Sequence, residues 1–153
     1  MPDFETFHVG LKVLLKKGDE YLFLTDAANG KLDLPGGRID DNENDSPLSD
    51  IIGREVGEEL GKDVKYELGC PIFQYRARTK SSEPYRFITV YSANYLGGVI
   101  RLSGEHSSYQ WVNGKDIDLR KEFFLSGEAY EAFKSHFDAL QEKYGIQTHE
   151  PAN

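Results

Sequence analysis

Between positions 48 and 60, Ile52, Val56 and Leu60 recur every four residues, and Glu55, Glu58 and Glu59 stand at i, i+3 and i+4 beside them. An α-helix satisfies both spacings, because residues three and four apart share one face. The apolar stripe must lie on a core, which leaves the three carboxylates facing a cleft at the core's edge. Like charges at this spacing destabilise a helix by roughly 0.2–0.5 kcal/mol per pair, and the nearest base in sequence is Arg54. A divalent cation would reverse that repulsion. Oxygen-only ligation selects a hard ion, Mg²⁺ or Mn²⁺, over zinc, for which the chain offers one Cys and four His. Taken alone, EVGEE also fits a solvated acidic face.

The residues upstream favour the metal reading. Asp33-Leu34-Pro35-Gly36-Gly37 reads as the end of a short strand entering a tight turn, where glycine lets a ligand approach the backbone. Ser46 is placed as a helix N-cap with Pro47 at the first helical position, and Gly61 as the stop, so the helix is expected over 47–60. Gly53 and Gly57 each cost this helix about 1 kcal/mol relative to Ala, so packing or metal must support it.

This order of strand, glycine loop and acidic helix resembles the Nudix box, written G-x5-E-x7-R-E-U-x-E-E-x-G-U with U aliphatic. Gly37, Glu43, Arg54-Glu55-Val56, Glu58-Glu59 and Gly61 fall on it. There are two departures. Ten residues, not seven, separate Glu43 from Arg54, and Lys62 stands at the last aliphatic position. Asn, Asp and Ser suit a loop, so the three extra residues belong between Glu43 and Pro47, where lengthening costs little. The resemblance extends, more loosely, to Glu105-His106-x-x-Tyr109-x-Trp111, which is similar to a late loop that carries a catalytic or metal-binding Glu in many members.

Several expectations follow from the resemblance. Glu55, Glu58 and Glu59 hold Mg²⁺, with Mn²⁺ as the alternative, and one of them or Glu105 acts as general base. Gly36 and Gly37 shape the substrate-binding turn, and Arg38, directly after them, either contacts a phosphate or is a simple surface arginine. Arg54 orients carboxylates in bidentate fashion, with Glu43 beside it. The implied activity is hydrolysis of a diphosphate linkage in a nucleoside diphosphate derivative, either a nucleoside triphosphate or a nucleotide sugar. The alternatives are an RNA 5'-end pyrophosphohydrolase and a non-catalytic nucleotide-binding domain. A net charge of -8 weighs against the first, and an intact acidic set against the second. The proline that marks ADP-ribose hydrolases beyond the box is absent, since that region holds Ala77 and Arg78.

The rest of the chain reads as strands flanking the acidic helix and a helix at the end. Phe7 to Leu15 and Tyr21 to Thr25 form a hairpin, and Leu32 to Leu34 a short strand. Val64 to Arg78 is a strand interrupted at Cys70-Pro71, Arg86 to Leu96 a strand with Val99 to Leu102 as a short continuation, and Tyr109 to Val112 another. A second helix over 126–144 carries Tyr130, Phe133, Phe137, Leu140 and Tyr144, with Ser126 as cap and Gly145 as stop. The expected fold is an α/β class, Nudix-type α/β/α sandwich around a mixed β-sheet. Residues 1–145 are expected to form a single domain and 146–153 a flexible tail. One Cys excludes an internal disulfide, and no apolar run approaches the roughly 20 residues that span a bilayer. A cytoplasmic protein is expected, a monomer or homodimer that takes a small nucleotide and binds neither nucleic acid nor membrane.

Overall fold

The computed structural model describes residues 2–148, with the side chains of 144–148 left aside. Two strands open the chain: β1 (His8–Lys17) and β2 (Glu20–Asp26) pair antiparallel across Gly18, whose φ of 58° suits the turn. After β3 (Leu32–Asp33) and β4 (Gly36–Arg38) comes α1 (Leu48–Leu60), then β5 (Lys65–Ala77), β6 (Arg86–Gly97), β7 (His106–Asn113) and α2 (Gly127–Thr148). The seven strands make one mixed sheet in the order β3-β2-β1-β6-β5, with β4 also on β1 and β7 also on β2. β1 and β6 run parallel and the other pairs are antiparallel.

The period-two alternation of β1 and β2 supplies both layers of core. Leu11, Val13, Leu15, Leu22 and Leu24 face α1 and pack with Ile51, Ile52, Val56 and Leu60. Leu14, Tyr21 and Phe23 face the other way, against Phe133, Phe137, Tyr75 and Val90 under α2. A helix therefore covers each face, as a sheet apolar on both sides requires. Because β1 turns from β2 to β4 along its length, the sheet opens beside Gly36 and Gly37, and α1 reaches through this opening. No described helix is long and apolar enough to cross a membrane.

Several local expectations need correction. The glycine segment is a strand, not a tight turn: Gly36 and Gly37 pair with Lys12 and Leu11. Pro47 is the N-cap of α1 and no side chain caps the helix. Ser46 instead donates its backbone N–H to Glu43 O at 3.0 Å within the lengthened loop. The loop placement of the extra residues agrees with a helix that starts at Leu48. Glu59 does not lie beside the buried stripe but within it, at 4% exposure. Residues 99–102 form no strand; Arg101 and Ser103 donate their N–H groups to the carbonyls of Leu60 and Glu59, so this segment satisfies the end of α1. Ser126 does cap α2, accepting from Ala129 N–H at 3.1 Å, but the helix runs past Gly145 to Thr148. The expected role of Tyr144 and the tail beyond Thr148 lie outside the described side chains and residues.

Candidate active site

Gly36 and Gly37 bring β1 and α1 together in a way that larger residues would prevent. Gly36 has φ 132°, and a Cβ there would sit 2.1 Å from Leu11 O. At Gly37 a Cβ would come within 2.4 Å of the Glu55 carboxylate carbon. The first glycine thus permits the backbone path, and the second leaves room for Glu55 to reach past β4.

The cleft this creates has a volume of about 610 Å³ and is lined by Gly36, Gly37, Arg38, Glu55, Glu59 and Glu105, all expected from the sequence. Lys12, Asp33, His106, Asp26 and Arg86 line it as well. Its size suits a nucleotide-sized ligand.

Glu59 accepts a hydrogen bond from Gly36 N–H at 3.0 Å. Burial pushes its pKa up to about 7, against the opposing pull of Lys12 and the Gly36 bond. Burial likewise raises Glu55, although Arg54 works against it. Arg54 is the hub behind the cleft. Its Nε and Nη2 donate to Glu43 at 2.8 and 2.6 Å, and its Nη1 donates to Glu55 at 2.9 Å and to Glu58 at 3.4 Å. The bidentate grip of Arg54 holds Glu43 below the usual carboxylate range. The three extra residues thus do not separate this pair. Glu58 is 61% exposed and lies outside the cleft lining.

A second charged cluster lies under Glu59. Lys12 Nζ donates to Leu34 O at 3.1 Å and Gly36 O at 2.9 Å, and pairs with Asp33 at 3.0 Å. Burial opposes its charge, but Asp33, Glu59 and Glu55 outweigh that and hold its pKa above the ordinary value. Burial also opposes ionisation of Asp33, and Lys12 with the His106 hydrogen bond reverses it, leaving Asp33 below its usual range. His106 donates its Nε2–H to Asp33 at 2.9 Å, while its buried Nδ1 has no partner among the described residues. Sequence reasoning missed Lys12 and Asp33 as site residues. A lysine in the apolar run of β1 was the available signal, since such a group needs a buried partner.

Glu105 is exposed at the mouth of the cleft. Its loop is pinned by Ala27 N–H donating to Glu105 O at 2.9 Å, so the carboxylate has a fixed base although its own atoms are solvated.

Whether these residues suit a divalent ion turns on the donor set. Among the described residues no three acidic or histidine side chains converge on one point. Mg²⁺ is commonly held by one or two carboxylates, with waters and substrate oxygens completing the shell, so a full protein cage is not required. Glu55 and Glu59 supply two hard oxygen donors on one cleft wall, and burial makes each costly to ionise without a cation. The residues fit the ion.

No family model matches the chain, and no curated protein does. Solved structures do match. A MutT protein from Methanosarcina mazei Go1 superposes with TM-score 0.62 at 22% identity, covering 92% of this chain and 96% of that one. An ADP-ribose pyrophosphatase from Streptococcus suis 89-1591 gives 0.61 at 19%, covering 89% and 93%. A UDP-X diphosphatase gives 0.65 at 14%, covering 93% of this chain and 66% of its own length. With two helices on a seven-stranded mixed sheet and the Gly37 to Gly61 segment at its opening, the chain has the fold of the Nudix hydrolases.

Proposed function

We propose that the chain is a divalent-metal-dependent hydrolase that splits a diphosphate linkage in a small nucleoside diphosphate derivative. The observation that carries this reading is the placement of Glu55 and Glu59 on one wall of a nucleotide-sized cleft, each braced from behind, Glu55 by Arg54 and Glu59 by Gly36 N–H. Glu55 and Glu59 would hold Mg²⁺ or Mn²⁺, with Glu58 available at the exposed edge of α1. When bound, the ion supplies neutralising charge for phosphate oxygens and acidity for the attacking water.

The chain's own residues do the rest. Arg54 and Glu43 fix the rotamer of Glu55, and the Gly36 N–H fixes that of Glu59, so the carboxylates are set before substrate arrives. Arg38 faces the cleft as a phosphate contact. Glu105, uncommitted to any ion pair among the described residues, accepts the proton of the attacking water, a role worth about 10²–10⁴-fold in rate.

The test is a panel of nucleoside triphosphates, nucleotide sugars, ADP-ribose and dinucleotides, assayed for products with Mg²⁺ and with chelator. Metal-dependent cleavage of at least one anhydride is expected, with Glu105→Gln lowering kcat and leaving KM and Tm nearly unchanged. Absence of cleavage across the panel would refute hydrolysis. A Glu105→Gln rate within about twofold of wild type would remove Glu105 as base.

A further inference from the structure

The sheet beside the carboxylates carries two arginines that the metal site does not use. β4, β1 and β6 lie side by side, and the register sets Arg38 opposite Gly10, Gly10 opposite Ile88 and His8 opposite Arg86. Residues two apart on a strand share a face, so Arg38, Ile88 and Arg86 rise on the same side of the sheet as Lys12. Between them β1 contributes Gly10, with His8 at the outer edge taking the Arg38 hydrogen bond on its Nδ1. A Cβ on Gly10 would press on Ile88 Cγ1 at 3.0 Å, so the floor here is backbone and Ile88, with a guanidinium on either side.

Distance along β1 relates this floor to the carboxylates. Lys12, opposite Gly36 and near Glu59, is two residues beyond Gly10, about 7 Å, and Arg86 sits one further step of about 7 Å away. Neither guanidinium is tightly neutralised. Arg38 donates to His8 Nδ1 at 3.1 Å and makes no ion pair among the described residues. Arg86 approaches Glu83 only to 3.8 Å. In a chain of net charge -8, two such cations flanking the floor at Gly10 and Ile88 suit an anion held between their guanidinium groups.

We propose that Arg38 and Arg86 form a phosphate subsite beside the carboxylates, and that the substrate is accordingly a nucleoside triphosphate instead of a nucleotide joined to an uncharged sugar. The proposal rests on the hydrolase reading for the word substrate, but the subsite is measurable as binding alone. The experiment compares equilibrium binding of an imido-linked, non-hydrolysable nucleoside triphosphate and of a nucleotide hexose to wild type, Arg86→Met and Arg86→Lys, alongside turnover by wild type. Loss of charged hydrogen bonds predicts about ten- to hundredfold weaker binding of the triphosphate analogue to Arg86→Met. Its loss should exceed that of the nucleotide hexose by at least tenfold. Arg86→Lys should recover part of the loss, and it carries the test if Arg86→Met melts at a lower temperature. Equal losses for both ligands, or a loss under twofold for the triphosphate, overturn the subsite. If wild type binds the analogue through Arg86 yet cleaves neither compound, the subsite stands and the hydrolase reading falls.

Discussion

Replacing Glu59 with Gln in the metal-free protein changes how stability depends on pH. The residue is 4% exposed, and burial raises its pKa from 4.5 to about 7. A raised acid favours the fold while protonated. Its contribution is complete below the unfolded value and is lost as pH climbs through about 7. The rise from 4.5 to about 7, at about 1.36 kcal/mol per pH unit, corresponds to a loss of about 3 kcal/mol between pH 4.5 and 8. Glutamine keeps an oxygen for the Gly36 N–H and does not ionise. Glu59→Gln should therefore gain about 3 kcal/mol on wild type over that interval, measured by urea denaturation in chelator at unit steps of pH. Saturating Mg²⁺ should shrink the gain, because the ion stabilises the ionised carboxylate that the variant lacks. Parallel stability curves from pH 5 to 8, within about 0.5 kcal/mol, would refute the burial argument.

Other substitutions separate shape from charge. Gly37→Ala should lower kcat/KM by about 10²-fold with little change in Tm, because its Cβ displaces the Glu55 carboxylate and its backbone has no positive φ. Gly36→Ala should unfold the protein in a thermal melt, since its Cβ meets the Leu11 backbone. Lys12→Met should cost about 2–4 kcal/mol in a denaturant titration at pH 7, as it takes the ammonium from beside the buried Asp33 and a donor from two backbone carbonyls. Gly53→Ala should raise stability by about 1 kcal/mol, because the nearest atom to its Cβ is Tyr66 Oη at 3.7 Å and the helix gains propensity.

The parts of the site legible in the sequence were those whose pattern is local. The spacing of Ile52, Val56 and Leu60 placed α1 on the core, and Glu43 meets Arg54 as the motif suggests. Local patterns also misled. Pro35-Gly36-Gly37 reads as a turn, yet pairing with β1, made across 24 residues of chain, draws it into a strand. That pairing sets Lys12 beneath Glu59, while the pairing of β3 and of β7 with β2 brings Asp33 to His106 across 73 residues. Arg86 reaches the cleft only because β6 runs parallel to β1, a register that no stretch of either strand encodes by itself.

Titration of the protein with Mn²⁺, followed by the loss of the free-ion electron paramagnetic resonance signal, addresses the metal site without reference to any substrate. Wild type should bind Mn²⁺ in competition with Mg²⁺, with Glu55→Gln and Glu59→Gln each weakening it by at least tenfold while Gly53→Ala leaves it unaltered. Equal Mn²⁺ affinity in wild type, Glu55→Gln and Glu59→Gln would contradict the assignment of this cleft as a metal-dependent active site.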